Sequence, residues 1–482
     1  MAVNFRYVAL ADEIQENIMA GLFSPGEKLP SLRKLHNNLG LSVSTIHQAY
    51  IELEKRGRVE AREKSGFYVK ALDASPLGKP ARGKEDARPS RVKVNALAET
   101  ILSDLQSDEI LQLGAAMPSK ELMPIKQLSR ILKSLPSTEL GECMGNYDVC
   151  AGFSGLREAI AKRMLGYACM ICASDVVTTN GCLEAVSLCL RAVASPGDTI
   201  LVESPVFHCF LQLIEDLNMY VVELPGCPET GIDPAAFETA VSSKQIKACL
   251  LNPNFQNPLG SVISTENKRT ILNIANSHDL PIIEDDIYGD LYFGAKRPTT
   301  FKSMDTRGLV LYCSSFSKTL APGLRTGWTL PGRFKRQVIR MKLNSLLSAP
   351  NINHRIVARF IDTGAYDRHL RKLRNQIKNQ ASAIAIAVAN HFPADTQITF
   401  PRGGLFIWIV LNKKIDTMVI YQKAYGQNIS ILPGVICSSS DRYLHCLRIN
   451  IGIKWSPRLE KGIHLLGQLV KEEYKNNDLA FT

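Results

Sequence analysis

The chain has 482 residues, which is too long for one ordinary domain and predicts two or three. Its composition is 45% hydrophobic and 21% charged, with no low-complexity block, and this excludes a fibrous or disordered protein. The formal net charge is +11, but within residues 1–93 most of the excess of bases lies between Ser75 and Lys93, so the N-terminal part is not broadly basic.

The N-terminal segment is not a signal peptide, because no basic region precedes an apolar run and acidic residues interrupt it. No apolar stretch reaches the roughly 18 residues of a membrane helix, so we predict a cytoplasmic protein without membrane contact. The twelve cysteines show no metal-ligand pattern, and no metal site is predicted. Cys169 and Cys172 form a lone C-x-x-C, for which ordinary reduced thiols are the favoured interpretation.

Two helices separated by a break are predicted at the N-terminus. Apolar residues recur at helical spacing in FRYVALADEIQENIMAGLF, at Val8, Ile14, Ile18 and Leu22. The stretch SPGEKLP then breaks the chain. The next segment, SLRKLHNNLG, begins with Ser31 as a candidate N-cap and ends at Gly40, which predicts a short second helix.

A third helix and a hairpin follow. LSVSTIHQAYIELEKRG has Ser42 or Ser44 as its cap and stops at Gly57. RVEAREKSGFYV alternates around a turn at residues 64–66, as the strands of a small hairpin do. This order of elements predicts a winged helix-turn-helix, whose recognition helix enters the major groove of double-stranded DNA. A small helical domain used for dimerisation is the alternative.

The third helix and the wing supply the candidate DNA contacts. The helix offers four side chains to base edges or phosphates, those of Ser44, Thr45, His47 and Gln48. Arg33 on the preceding helix is expected to face the phosphate backbone. Lys64 and Gly66 in the wing are expected to approach the minor groove or a phosphate.

The segment PGEKLPSLRKLHNNLGLSVSTIHQAYIELEKRGRVEAREKSGFYV resembles the DNA-binding domain of the GntR family over its whole length. The family's P-G-x-x-L-P-S-x-R-x-L, S-x-x-T and L-x-x-x-G elements and its wing glycine are all present. Val43 is a departure, since many members carry a DNA-contacting arginine there. The resemblance implies a DNA-binding domain, which we place at residues 1–73.

A basic linker is predicted over residues 74–108. From Ser75 to about Asn95 it is rich in Pro, Gly, Lys and Arg without periodicity, which is typical of a flexible tether. Its bases would also attract DNA without sequence preference.

Residues 109–482 show a different pattern. Short apolar runs such as DTILVE, KACLL, LPIIEDD and LVLYCSS alternate with helical stretches such as GCLEAVSLCLRAVA. Continuous apolar strands between helices predict an α/β fold with a parallel or mixed sheet that is covered on both faces. Ligands of such sheets bind at the carboxyl ends of the strands.

The first three of five strand ends carry candidate binding groups. The turn at residues 180–182, Asn180-Gly181-Cys182, opens a helix directly after a strand and exposes backbone N–H groups that suit a phosphate. Phe207 follows the next strand, where it either stacks on a flat ligand or belongs to the core. Asn257 precedes Pro258 and marks an exposed turn after the third strand.

The last two strand ends carry acids, a phenol and an amine. Asp285, Asp286 and Tyr288 follow LPIIE, and one of the two acids should meet a cation. Lys318 follows LVLYC within SSFSKTLAPGLRTGW. An amine beside an acid and a phosphate site indicates an aldehyde cofactor with a phosphate and a basic ring nitrogen, which is pyridoxal 5′-phosphate (PLP).

Residues from about 110 to 475 resemble the fold-type I PLP-dependent aminotransferases, with a large mixed sheet and a small C-terminal α/β domain. The resemblance implies that Lys318 carries the cofactor and that Ser315 and Arg325 bind its phosphate together with Asn180, Gly181 and Cys182. It also implies three contacts of the ring, those of Asp285 with the pyridine nitrogen, of Tyr288 and Asn257 with the phenolic oxygen, and of Phe207 with the ring face.

Two further residues follow from the same resemblance. GNYDVCAGFSGLREAIAKRM resembles a segment whose tyrosine, here Tyr147, reaches the phosphate in the neighbouring subunit, which implies a homodimer. In LRIN, Arg448 takes the position that binds a substrate carboxylate, as a bidentate guanidinium can.

A GntR-type head joined to an aminotransferase-type body resembles the MocR subfamily of bacterial transcriptional regulators. The resemblance implies a PLP-dependent homodimer that binds a promoter with two half-sites and senses PLP or a small amino compound. An active aminotransferase with an accessory DNA-binding head is the alternative, because Asp285, Lys318 and Arg448 are all present. A PLP-stabilised scaffold without an effector is a third interpretation.

Overall fold

The computed structural model describes residues 6–83, 88–90, 107, 109–243 and 245–479. We call residues 6–73 the head and residues 109–479 the body. The head is a winged helix-turn-helix made of α1 (Arg6–Met19), α2 (Leu32–Leu39), α3 (Val43–Lys55), β1 (Val59–Arg62) and β2 (Gly66–Val69). The two strands pair antiparallel, as the alternating pattern predicts.

The caps of the head are local. Ser31 caps α2, where its Oγ accepts a hydrogen bond from the Lys34 N–H at 3.2 Å, and Gly40 ends the helix at φ +66°. Ser42, and not Ser44, caps α3, since its Oγ accepts from the Thr45 N–H at 3.1 Å. The prediction for α1 was partly wrong: Leu22 lies beyond the helix end at Met19 and is 66% exposed.

The body is built on a seven-stranded sheet in the order β4-β10-β9-β8-β7-β5-β6. Its strands are β4 (Val177–Thr179), β5 (Thr199–Ser204), β6 (Tyr220–Pro225), β7 (Ile246–Leu251), β8 (Ile282–Asp285), β9 (Val310–Ser315) and β10 (Gly327–Leu330). All run parallel except β10, which is antiparallel to both of its neighbours. The predicted mixed and mostly parallel sheet is therefore confirmed.

Helices cover both faces of this sheet, which is why its strands are apolar throughout. Alternate residues of β7 enter different clusters: Ala248 and Leu250 pack under one set of helices, and Cys249 and Leu251 under another. The body helices are α4 (Ile125–Lys133), α5 (Ser137–Gly145), α6 (Ser154–Leu165), α7 (Cys182–Val193), α8 (His208–Asp216), α9 (Pro234–Ser243), α10 (Thr265–Ser277), α11 (Lys335–Leu346), α12 (Asn351–Asp362), α13 (Ala365–His391), α14 (Thr417–Tyr425) and α15 (Pro457–Leu479).

The C-terminal part of the body forms the predicted small α/β unit. A four-stranded sheet has the order β11-β12-β15-β14, and a short parallel pair joins β13 to β3 near the start of the body. These strands are β3 (Leu111–Gln112), β11 (Gln397–Ile398), β12 (Phe406–Val410), β13 (Ile429–Ser430), β14 (Leu432–Pro433) and β15 (Cys446–Asn450). The long helix α13 packs against α15 and β12 beneath this sheet.

The described part of the linker lies on the body, which differs from the predicted flexible tether. Ser90 pairs with Val221 at the edge of β6, through N–H···O bonds of 2.9 and 3.0 Å. Lys79 forms an ion pair with Glu229 of the body. The edge strand and the surface acids supply these partners, and a composition rich in Pro and Lys does not reveal them. Residues 84–87 and 91–106 lie outside the described residues.

Within the described part of the chain, no helix combines the length and the apolar character that crossing a bilayer requires.

Candidate cofactor site and DNA-binding face

The parallel strands bring the predicted site residues to one edge of the large sheet. β4, β5, β7, β8 and β9 all point the same way, so their carboxyl ends lie together. The segments that follow them carry Asn180, Phe207, Asn257, Asp285 and Lys318. The sheet topology thus collects residues that are up to 138 positions apart in the chain.

The loop before α7 and Arg325 form one small polar cradle. Arg325 Nη2 donates to the Asn180 carbonyl oxygen at 2.7 Å. Gly181 has φ +96°, and a Cβ at this position would lie 2.5 Å from Arg325 Nη2, so only glycine fits. Ser315 is buried at the end of β9. A guanidinium, a hydroxyl and a helix N-terminus are groups that bind phosphate.

Asp285 and Asp286 have different surroundings. Asp286 is the acid that meets a cation: it pairs with Arg297 and also accepts from Tyr312 Oη and Asn254 Nδ2, each at 2.8 Å. Asp285 is 5% exposed and its Oδ1 accepts from Cys182 Sγ at 3.1 Å and from the Ile287 N–H at 3.2 Å.

The Asp285 carboxyl is therefore free for a ligand. Its Oδ2 takes no hydrogen bond from any described residue, and no described cation forms an ion pair with it. Burial raises its pKa to about 7. A buried carboxylate without a counter-ion is costly, and a protonated ring nitrogen would offset that cost.

Lys318 is half-buried beyond β9. Its amine has no hydrogen-bond partner among the described residues. Burial and, secondarily, the charge of Arg448 lower its pKa to about 8. A lysine amine with such a lowered pKa is largely neutral just above neutral pH, which is the form that attacks a carbonyl carbon.

Arg448 is buried in β15 and is held by two acceptors. Its Nη1 donates to Asn257 Oδ1 at 2.6 Å and its Nη2 to the Gly114 carbonyl oxygen at 2.5 Å. No described carboxylate pairs with it, its Nε has no partner, and burial lowers its pKa. The neighbouring Asn257 Nδ2 lies 3.4 Å from Tyr288 Oη, so the four groups form one connected set.

Two predicted residues stand apart from this set. Phe207 is half-buried at the start of α8, where its ring packs edge-on against Phe210 at a centroid distance of 5.3 Å. It thus has core contacts, and a stacking role stays a prediction. Tyr147 is 84% exposed and has no described contact with the other site residues, as expected for a side chain that would serve a second subunit.

Sequence reasoning missed several neighbours of the site. Arg297, the partner of Asp286, lies in a loop without periodicity, and the Gly114 carbonyl belongs to the backbone, so no local signal marks them. His208 is 5% exposed and neither ring nitrogen has a partner among the described residues. Burial lowers its pKa to about 3, which makes it a neutral residue.

These features fit PLP, the cofactor that the fold implies. The Gly181 cradle excludes a Cβ and faces Arg325, the Asp285 Oδ2 has no partner, and the Lys318 amine is free. A phosphate, a pyridinium nitrogen and an aldehyde would satisfy these three groups in turn.

The head presents its candidate DNA residues to solvent. The exposed ones are Arg33, Ser44, His47, Gln48, Lys64 and Gly66. Thr45 is half-buried, and Ser42 Oγ bonds to the Thr45 and Ser44 hydroxyls at 2.8 and 2.9 Å. The recognition helix therefore begins with an ordered hydroxyl cluster on an exposed face.

Comparison with known proteins agrees with both parts. Residues 6–69 match the model of the bacterial regulatory proteins of the gntR family, and residues 110–456 match that of aminotransferase class I and II. The HTH-type transcriptional regulator YjiR of Escherichia coli (strain K12) is 36% identical, over 96% of this chain and 98% of its own. YdcR of the same organism is 34% identical, over 97% and 99%.

Among solved structures, the multiple substrate aminotransferase of Thermococcus profundus superposes with a TM-score of 0.73 at 25% identity, over 80% of this chain and 96% of its own. The unmatched part of this chain agrees with an added N-terminal domain. The chain therefore belongs to the GntR-family helix-turn-helix transcriptional regulators that carry a PLP-type aminotransferase class I and II domain, the MocR-like architecture.

Proposed function

We propose that this regulator binds promoter DNA through its head and changes its grip on DNA when its body binds PLP or a small amino compound. The observation that carries the proposal is the presence, in one chain, of an exposed recognition helix and a buried site whose reactive groups, Lys318 and Asp285, lack protein partners. A regulator needs both a reader of DNA and a site that a ligand can change.

The residue roles at the site follow from their surroundings. Arg325, Ser315 and the turn at residues 180–182 would hold the phosphate, and Asp285 would hold a protonated pyridine nitrogen. Tyr288 and Asn257 would contact the phenolic oxygen. When bound, PLP supplies an electron sink for chemistry at an amino group.

Arg448 selects the second ligand. Asn257 and the Gly114 carbonyl orient its guanidinium but leave its charge without a described counter-ion. A ligand carboxylate would supply that charge and restore a buried ion pair. The effector class is therefore PLP itself or an amino compound that also bears a carboxylate.

The assembly is proposed to be a homodimer. Exposed apolar side chains of the segment after α5, Tyr147 and Val149, lie near Leu343 and Leu347 at the end of α11, because Lys342 of α11 donates to the Cys150 carbonyl. Clustered exposed apolar residues mark interfaces. A twofold dimer would present two heads to two half-sites. We retain domain boundaries at residues 1–73, 74–108 and 109–482 as part of this proposal.

One experiment tests the function against its alternative. Purified full-length protein is titrated with PLP and then with a panel of amino acids, while absorbance is followed. In parallel, its affinity for DNA from upstream of its own coding region is measured against random DNA of equal length, at fixed salt. We expect sequence preference and a ligand-dependent affinity. Absence of any preference, together with transamination at ordinary enzymatic rates, would establish the aminotransferase alternative instead.

A further inference from the structure

The helix α13 contacts the segment that carries Lys318. Thr319, the residue after Lys318, is 2% exposed and receives two hydrogen bonds from the first turns of α13. Tyr366 Oη lies 2.7 Å from Thr319 Oγ1, and His369 Nε2 lies 2.8 Å from the Thr319 carbonyl oxygen. The Tyr366 ring also packs edge-on against Phe316, with centroids 5.5 Å apart. Any shift of the Lys318 segment therefore meets this end of α13.

The other end of α13 holds the head. Asn390 Nδ2 donates to the Met19 carbonyl oxygen at 3.2 Å, at the end of α1. Ser382 Oγ accepts from the Leu72 N–H at 2.9 Å, just beyond β2. Lys378 lies 3.3 Å from Asp73.

The seat of the head is close-fitting. A Cβ at Gly26 would lie 2.2 Å from Asn379 Nδ2, so the turn after α1 rests directly on α13. The contacts on the head side come from the end of α1, the turn after it and the residues beyond β2. The candidate DNA residues Arg33, Gln48 and Lys64 remain exposed in this arrangement. The seat fixes the direction of the DNA-binding face and does not cover it.

A single stiff element thus joins the two functional parts. The helix has 27 residues. From Tyr366 to Asn390 it spans about 36 Å at 1.5 Å per residue. Its buried side chains, which include Leu373, Ile377, Ile384 and Val388, pack in the core of the small unit. Packed helices move as units and do not deform continuously.

We propose that α13 transmits the ligand state of the Lys318 segment to the head, by changing how the head is seated and so the direction of its recognition helix. This inference rests on the proposed function, since it requires that a ligand alter DNA binding. It assigns transmitting roles to Tyr366 at one end and to Ser382 and Asn390 at the other. None of these three side chains touches DNA or the proposed cofactor groups in the described contacts.

The test uses full-length protein with PLP as the ligand and the upstream DNA fragment as the probe. The measured quantity is the ratio of DNA affinities with and without PLP, for wild type, Tyr366→Phe and the double variant Ser382→Ala/Asn390→Ala. Asn375→Ala is the matched control, because Asn375 is exposed on the same helix between the two contact groups. PLP affinity is followed separately by absorbance.

We expect a ratio that differs from one by about fivefold or more in wild type and in Asn375→Ala. In Tyr366→Phe and in the double variant the ratio should fall below about twofold, while PLP affinity and PLP-free DNA affinity change little. Hydrogen exchange should show that PLP alters protection at residues 19–26 and 72–73 in wild type only. The double variant keeps the test valid if Tyr366→Phe does not fold.

Two negative outcomes are distinguishable. If wild type responds to PLP and both variants respond equally, the role of α13 is refuted and the proposed function stands. If wild-type DNA binding is indifferent to PLP and to the amino acid panel, the proposed function fails and the transmission through α13 fails with it.

Discussion

Asp285 and Asp286 are adjacent in the chain, yet they do different work. Asp286 ends in a buried ion pair with Arg297, whose side chain is 9% exposed, and receives two further hydrogen bonds. Asp285 has only the Cys182 thiol and a backbone N–H on one oxygen. Asp286 is therefore a structural acid, and Asp285 is the acid available to a ligand.

Exchanging each acid for its amide should separate these roles. Asp286→Asn breaks a buried ion pair and should cost about 3–5 kcal/mol of stability. Asp285→Asn should weaken PLP binding but stabilise the PLP-free protein above pH 7, by up to about 4 kcal/mol for a pKa raised by roughly three units. Thermal unfolding at several pH values and PLP titration measure both effects.

The sign of the pH dependence follows from the pKa. Because the folded pKa of Asp285, about 7, exceeds the unfolded value of 3.8, the folded protein binds more protons between these values. Wild-type PLP-free protein should therefore lose stability relative to Asp285→Asn as pH rises through this window. Equal losses of PLP affinity in the two amide variants would contradict the assignment.

Lys318 should impose a pH dependence on cofactor attachment. With its pKa lowered to about 8, the amine is mostly protonated at pH 6 and mostly neutral at pH 9. The observed rate of attachment should rise nearly tenfold per pH unit below about 8 and then level off. Stopped-flow absorbance in the near-visible range measures it. Lys318→Ala should show no such band, and a lysine-type band in that variant that borohydride fixes to the chain would exclude Lys318.

At the scale of the element, α3 and α2 divide the reading of DNA. Ser42 caps α3 and holds the Ser44 and Thr45 hydroxyls, so the first turn is ordered before DNA arrives. Arg33 is exposed on α2 and is placed to meet phosphates. Phosphate contacts position a protein on DNA, and base contacts specify the sequence.

Two substitutions in these helices should have different signatures. Arg33→Ala should weaken binding to all DNA sequences alike and lower the slope of log affinity against log salt by about one. Gln48→Ala should leave the salt slope nearly unchanged and alter the preferred site by about 1–3 kcal/mol per base contact. Binding isotherms at four salt concentrations, on the upstream fragment and on random DNA, report both. A Gln48→Ala loss that is equal on both DNAs would contradict base reading by α3.

At the scale of the whole molecule, the exposed apolar residues of the body are concentrated where a second subunit would sit. Tyr147 is 84% and Val149 59% exposed, and Leu347 near them is 57% exposed. Tyr147 cannot serve the site of its own chain through any described contact. The cofactor site is thus expected to be complete only in the dimer.

A charge placed in this patch should therefore affect assembly and cofactor binding together. Val149→Asp and Leu347→Asp should yield monomers, because burying an unpaired carboxylate in an interface is costly, and should weaken PLP binding at least about tenfold. Met170→Asp is the control, since Met170 is 89% exposed beside a different surface cleft. Sedimentation and PLP titration measure the two properties. A monomer with full PLP affinity would refute the shared site.

Much of this protein was predictable because its signals are local. Caps, turns and strand ends depend on residues within a few positions of one another, so Ser31, Gly40 and the wing turn were identified correctly. The alignment of Asn180, Asp285 and Lys318 followed from the rule that parallel strands share one binding edge. Leu22 was misjudged because its helical spacing continues past the point where α1 ends.

The sequence by itself determined the two-part architecture, the cofactor lysine, the candidate acid and the DNA-reading helix, since each is written in a contiguous motif. Only the tertiary structure decided which acid has a cation, how Arg448 is held, and where the head sits. Arg448 and the Gly114 carbonyl are 334 positions apart, and Leu72 and Ser382 are 310 apart. Such pairs leave no local pattern, because their proximity results from how whole elements pack and not from the propensity of any one segment.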